Sequence, residues 1–144
     1  MRSGSPAWQT RRLDEEELRR RFAASPVARL ATVCPDGRPH VVPVVFALVD
    51  GTIYTAVDHK PKRTHRLQRL VNVHREPRCS LLVDHYQDDW SRLWWVRADG
   101  VGAVVDEPPR DHPGLAALGE RHAQYRANPP AGPLLAVTVE RWSG

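Results

Sequence analysis

The chain has 144 residues, of which 41% are hydrophobic and 26% are charged, and this suits one globular domain rather than a disordered or multidomain chain. Its formal net charge of +4 permits an anionic ligand but does not require nucleic acid. Residues 1–10 lack the apolar core of a signal peptide, and no apolar run approaches the roughly 20 residues that span a bilayer. We therefore expect a cytoplasmic protein with no membrane span.

The first helix is predicted from its capping chemistry. Residues 1–12 show no apolar periodicity and are predicted to form a flexible tail, so that residues 13–144 make up the single domain. Asp14 is a good N-cap and Glu17, three residues later, completes a capping box. Leu18 and Phe22 share one helix face and predict its buried stripe.

Three strands joined by tight turns are predicted next. Pro-Asp-Gly at 35–37 separates a strand at 27–33 from one at 39–48, and Asp-Gly at 50–51 leads into a third at 52–57. The second strand is apolar on both faces over residues 41–46, which predicts burial on both sides. Pro43 within it predicts an edge strand or a bulge, because proline cannot donate a ladder hydrogen bond.

The rest of the chain alternates helices and strands. A helix is predicted from Pro61, and strands are predicted at 78–86, within 90–105 with a bulge at Asp99–Gly100, and at 134–142. A further helix over 110–125 would place Leu115, Leu118 and His122 on one face. Six strands with local hairpins predict a mainly β fold, a small antiparallel barrel with a few helices.

The most basic stretch follows the third strand. Residues 60–69 carry five cations and no acid: Lys60, Lys62, Arg63, Arg66 and Arg69. A strand end that leads into a helix N-terminus can hold phosphate or carboxylate, with the Thr55 hydroxyl as a further donor. A solvated helix face and a nucleic-acid surface are the alternatives, but no DNA- or RNA-binding motif accompanies the charge, and we expect no nucleic-acid partner.

The remaining chemistry is sparse. Cys34 and Cys79 lie in separate segments and are predicted to be free thiols, and the seven histidines show no metal-site spacing, so no metal is expected. Any catalysis would then depend on a bound organic cofactor. On a strand, Trp94 and Trp95 face opposite sides, which predicts that one enters the core and the other meets a subunit interface or a ring-binding pocket.

Four segments together carry a family resemblance: residues 28–32, 36–44, 60–63 (Lys-Pro-Lys-Arg) and 89–97. They resemble the split β-barrel flavin and deazaflavin oxidoreductases related to pyridoxamine 5′-phosphate oxidase, and more specifically the probable F-420-dependent enzymes of actinobacteria. The resemblance implies a homodimeric, six-stranded antiparallel split β-barrel, similar to FMN-binding proteins, with the cofactor in a groove between subunits. It implies coenzyme F-420 as cofactor, with FMN as the alternative, and hydride transfer to a small organic acceptor.

The resemblance also assigns the site. The ring of the cofactor would lie beside His40, Val41, Val42, Pro43 and Val44, and its ribityl chain would be flanked by Thr55, Val57 and Asp58. The phosphate would be bound by Lys60, Lys62 and Arg63, and the acidic tail by Arg66 and Arg69. The groove would also be approached by Trp94, Trp95 and Arg97. No catalytic residue is evident, and His40 is the candidate proton donor, although a strand histidine is as often a structural hydrogen-bonder. An FMN-binding oxidoreductase of the same fold and a non-catalytic cofactor carrier stay open as alternatives.

Overall fold

One antiparallel sheet forms most of the protein, which we describe from a computed structural model covering residues 13–57 and 67–144. The predicted tail, residues 1–12, and the basic residues 58–66 lie outside the described residues. In chain order the elements are α1 (Glu15–Ala24), β1 (Ala28–Val33), β2 (Pro39–Val44), β3 (Ala47–Val49), β4 (Thr52–Ala56), α2 (Gln68–Arg75), β5 (Arg78–His85), a 3₁₀ turn (Trp90–Arg92), β6 (Trp94–Val105), α3 (Pro113–Arg121), α4 (Ala123–Ala127) and β7 (Leu134–Ser143).

The sheet has seven strands in the order β2-β1-β5-β6-β7-β4-β3, and its pairs are antiparallel. Its two outermost strands, β2 and β3, are consecutive in the chain and are joined by only Val45 and Phe46. Two edges so closely linked must come together, so the sheet curls into a barrel split at this two-residue crossover. The predicted mainly β antiparallel fold is confirmed, with seven strands instead of six because the crossover divides the strand predicted over 39–48.

Both predicted hairpin turns form. In the first, Gly37 has φ +87° and its N–H donates to the Cys34 carbonyl at 2.8 Å. In the second, Asp50 adopts φ +56°, a left-handed conformation that aspartate tolerates better than most residues. These turns fix β1 against β2 and β3 against β4, which sets the register of both sheet edges.

Helix α1 closes one side of the barrel. Asp14 caps it, since its Oδ1 accepts from the Glu17 N–H at 2.8 Å as predicted, while the Glu17 carboxylate pairs with Arg21 at 2.9 Å. Phe22 is fully buried and packs on Phe46 of the crossover with ring centroids 4.8 Å apart. The helix therefore holds the crossover against the barrel interior.

Strand β2 is exposed on its outer side. Pro43 lies in an edge strand, as predicted, but Val41 is 60% exposed. The prediction that this strand is buried on both faces is therefore wrong for the single chain. Val42 and Val44 face the core, whereas Val41 and Pro43 form part of an apolar outer surface.

Two predicted helices differ from the structure. Of the helix predicted from Pro61, residues 61–66 lie outside the described residues, and the described part, Gln68–Arg75, follows Leu67, whose backbone is extended at φ −62° and ψ 143°. The helix predicted over 110–125 is interrupted at His122, with φ −126° and ψ 115°, and so becomes α3 and α4.

The fifth strand lies within the predicted range and has its irregularity where predicted. Residues 90–92 form a 3₁₀ turn, β6 begins at Trp94, and its register with β7 shifts between Asp99 and Gly100. A side chain at Gly100 would meet the Thr138 carbonyl oxygen, so the close approach requires glycine.

Both cysteines are free thiols, as predicted. Burial, together with the nearby Asp99 charge, raises the pKa of Cys79 to about 11, so this thiol stays protonated at neutral pH. Within the described ranges no helix is long and apolar enough to cross a membrane, and no cluster of three metal-ligating side chains occurs.

Candidate functional site

A cavity of about 270 Å³ opens where β2 and β4 end. Four elements contribute to it: the end of β2 with the crossover, the end of β4, the first turn of α2, and the start of α4. Its described lining consists of Pro43, Val44, Val45, Thr55, Ala56, Arg69, His122, Gln124 and Tyr125. Pro43, Val44, Thr55 and Arg69 are residues that the sequence assigned to the site, so the fold brings these four together.

Thr55 supports the cavity wall from beneath. Its side chain is only 2% exposed, and Oγ1 donates to the Val45 carbonyl oxygen at 2.8 Å. This bond ties β4 to the crossover. A hydroxyl has one proton, so Thr55 offers a ligand oxygen lone pairs rather than the donor that the sequence predicted.

We expect Thr55→Val to lower the free energy of unfolding by about 1–3 kcal/mol, because the nearly isosteric change leaves the Val45 carbonyl without its donor. Thr52→Val is the matched control on the same strand, since Thr52 pairs through the backbone with Thr138 and is less buried. Urea unfolding of both variants measures the difference. Equal losses in the two would show that the Thr55–Val45 bond adds nothing to stability.

His122 joins the helical wall to the crossover. Its Nε2 lies 2.8 Å from the Phe46 carbonyl oxygen, and its ring meets the Tyr125 ring edge-on at 6.0 Å. The sequence analysis did not assign His122, Gln124 or Tyr125 to the site. The signal was present at His122, a polar residue four positions after Leu118 on the predicted apolar helix face.

The charge at the cavity favours an anion. Arg69 contributes a cation, and none of its described lining residues is acidic. Ala56 and Arg69 both line the cavity, so the chain between them, residues 57–68, starts and finishes at its walls. That connecting chain contains Asp58, Lys60, Lys62, Arg63 and Arg66, the predicted site residues that lie outside the described residues.

Other predicted site residues are not among the described residues that line the cavity. His40 and Val42 face inward, opposite Thr32 and Leu30 of β1, and no described group bonds the buried Nδ1 of His40. The backbone N–H of Val57 donates to the Pro133 carbonyl at 3.2 Å.

Trp94 and Trp95 of β6 face opposite sides of the sheet, as predicted. Trp94 packs against the core with the His85 ring stacked at 5.9 Å, and the Arg21 guanidinium lies 5.1 Å from its centroid. Trp95 faces outward and is 45% exposed, with the Arg97 guanidinium 5.8 Å from its ring. None of Trp94, Trp95 and Arg97 is among the described residues that line the cavity.

Arg97 belongs to a polar network on the outer face. Its Nε contacts Asp99 at 3.3 Å, and Asp99 also accepts from Ser80 at 2.5 Å and from Arg141 at 3.0 Å. Burial raises the pKa of Asp99, but these hydrogen bonds and the two guanidinium charges outweigh it and hold the pKa below its usual value. Asp99 therefore carries a negative charge that partly neutralises Arg97.

This antiparallel sheet, which curls and is split at a short crossover, has the architecture of a split β-barrel protein. The chain belongs to the pyridoxamine 5′-phosphate oxidase family, whose model matches residues 14–144. This confirms the resemblance at the level of the family.

Solved structures of similar fold include a conserved hypothetical protein, Rv2991, from Mycobacterium tuberculosis, at 26% identity and a TM-score of 0.69 over 90% of this chain and 82% of that one. A FAD-binding protein from Mesorhizobium loti is 22% identical, with a TM-score of 0.60 over 92% and 94%. The heme storage protein HutZ from Vibrio cholerae is 19% identical, with a TM-score of 0.66 over 88% and 90%. No curated protein matches the chain in sequence.

Proposed function

We propose that the protein is an oxidoreductase that binds the deazaflavin coenzyme F-420 and transfers a hydride between the reduced cofactor and a small organic acceptor. The observation that carries this proposal is the cavity between β2, β4 and α4. It gathers Pro43, Val44, Thr55 and Arg69, and the basic chain that joins β4 to α2 leaves from one wall and returns to another.

The residues fit an anionic cofactor held in part by this cavity. About 270 Å³ lies just below the roughly 300–1,000 Å³ of a typical ligand pocket, so the cavity would take one end of a cofactor and leave the rest in an adjoining groove. Its described lining contains a cation and no acid, which suits an anionic cofactor. When bound, the reduced cofactor supplies the hydride.

The roles proposed for the chain's own residues are binding, orientation and exclusion of water. The crossover end of β2 would align the ring, and Val57 and Asp58 would flank the linking chain. Lys60, Lys62 and Arg63 would bind the phosphate, and Arg66 and Arg69 the acidic tail.

The number of cations favours the deazaflavin over FMN. One phosphate needs two or three basic groups, and the chain offers five in residues 60–69. FMN carries no polyglutamyl tail for the surplus to bind. A flavin is the alternative cofactor, because a protein of similar fold binds FAD.

We expect purified protein to quench the fluorescence of coenzyme F-420 with a micromolar dissociation constant. A parallel titration with FMN is the control, because both ligands carry a phosphate and a tricyclic ring. Tight FMN binding without F-420 binding would replace the deazaflavin by a flavin, and binding of neither would remove the proposed function. Binding of F-420 without turnover of any acceptor would favour a cofactor carrier. A heme storage protein has a similar fold, which is in keeping with that alternative.

We also propose a homodimer formed through the outer face of the sheet. The register places Pro43, Arg29, Leu82 and Arg97 in one row across four strands, with the exposed side chains of Val41 and Trp95 beside it. Apolar side chains gathered on one face favour a protein partner. Trp94, Trp95 and Arg97 would then approach the partner's cofactor, and light scattering that gave a monomer would remove this part of the proposal.

A further inference from the structure

His122 has a fixed hydrogen-bonding state at the cavity wall. A carbonyl oxygen only accepts, so the Nε2 that lies 2.8 Å from the Phe46 carbonyl must carry a proton. The neutral ring therefore has its lone pair on Nδ1, a tautomer assigned from this bond. His122 keeps its bond to the crossover whether Nδ1 is protonated or not.

Nδ1 of His122 is bonded by no described group, and it differs in burial from Nδ1 of His40. Both rings are partly buried, but the Nδ1 atom of His40 is enclosed without a partner in the described part of the chain. Nδ1 of His122 is not among those enclosed atoms, no described group bonds it, and its residue lines the cavity. The structure thus provides a histidine at the cavity that the sequence analysis had sought at His40.

Few of the described residues around His122 are charged. Arg69 of α2 lines the same cavity, and Tyr125 of α4 contacts the imidazole edge-on. The crossover and β4 contribute the uncharged residues Val45, Phe46 and Thr55. Arg121, the preceding residue, is turned away and donates to the Ala24 carbonyl.

We propose that His122 is a catalytic residue that delivers a proton from Nδ1 to the acceptor during hydride transfer. This inference rests on the proposed function. A bound reduced cofactor would supply the hydride, with its two electrons, to one atom of a polarised double bond in the acceptor. The imidazolium form of His122, which carries protons on both ring nitrogens, would supply its Nδ1 proton to the other atom. The double bond would become single, and the neutral imidazole would regain its Nδ1 proton from water. The Nε2–H keeps its bond to the Phe46 carbonyl throughout, and this carbonyl stabilises the ring while it is charged.

The first test is long-range ¹H–¹⁵N NMR of the histidine rings, with His122 assigned by comparison with His122→Gln. The free protein is expected to show His122 protonated on Nε2. Addition of F-420 or FMN, whichever quenches in the titration, should shift Nδ1 of His122 and leave His112 unchanged, since His112 accepts from the Gly114 N–H at 2.9 Å outside the cavity. A bound cofactor that leaves His122 unshifted would overturn the proposal, whereas failure of both cofactors to bind would overturn the proposed function.

The second test separates proton delivery from support of the wall. Glutamine at 122 can still donate to Phe46 but cannot exchange a proton, so His122→Gln should keep cofactor affinity within about threefold. Single-turnover reduction of menadione, a quinone that takes up two electrons and two protons, should slow at least tenfold and lose its dependence on pH. His112→Gln is the matched control. A His122→Gln variant that keeps the wild-type rate and pH profile would overturn the proposal. If the wild type does not reduce menadione, the shift of His122 Nδ1 on cofactor binding decides.

Discussion

Phe22→Ala is expected to lower the free energy of unfolding by about 3–5 kcal/mol, the range for removing a buried aromatic ring from a core. Phe22 is fully buried and touches two other rings, Phe46 at 4.8 Å and Trp142 at 5.2 Å. The three rings come from α1, the crossover and β7, so the cavity left by alanine cannot close by moving one element alone. Urea unfolding monitored by tryptophan fluorescence and far-UV circular dichroism measures the loss.

Tyr86→Ala is the control for this prediction, because it removes a similar ring from a side chain that is 74% exposed. It should change stability by no more than about 0.5 kcal/mol. A loss below 1 kcal/mol for Phe22→Ala would show that α1 packs loosely on the barrel. Since Phe46 also accepts the His122 bond through its carbonyl, Phe22→Ala should weaken cofactor binding as well.

The double variant Lys62→Ala/Arg63→Ala is expected to weaken cofactor binding by about a hundredfold. A charge-assisted contact to phosphate contributes roughly 1.5–3 kcal/mol, so each substitution alone should cost about tenfold or more. The loss should be larger at low ionic strength than at high, because salt screens these charges in the wild type. Fluorescence titration at two salt concentrations measures both effects.

The matched control is Arg38→Ala/Arg110→Ala, which removes the same net charge from two exposed arginines in other turns. It should bind the cofactor within about twofold of the wild type. Normal binding by the Lys62/Arg63 variant would make the basic stretch a solvated surface. Equal weakening in both double variants would show that overall charge, rather than a local phosphate contact, attracts the ligand.

Local chemistry accounts for what the sequence predicted well. The turns at Gly37 and Asp50, the cap at Asp14 and the edge position of Pro43 each depend on residues close together in the chain. The irregularity at Gly100 was visible as a glycine within a strand pattern. Family membership followed from short segments of the same kind.

Contacts between distant residues explain what the sequence did not predict. His122 bonds Phe46, 76 residues earlier, and no pattern around either residue specifies that pairing. The division of the second strand at Val45 and Phe46 is also tertiary, because both residues have strong β preferences. The exposure of Val41 could not be predicted from its apolar neighbours. A strand that is apolar on both faces is expected to be covered on both, but its sequence does not show whether the covering residues belong to the same chain.

Strand β7 has a consequence for how the sheet is completed. It lies between β6 and β4, pairing Val137 with Gly102 on one side and with Ile53 on the other. Until residues 134–143 take their place, β3 and β4 form an isolated two-stranded hairpin, which is marginally stable in water. Both β4 and β6 then present unpaired backbone groups to solvent. The interval before this one strand docks is therefore when newly made copies of the chain are most prone to associate edge to edge.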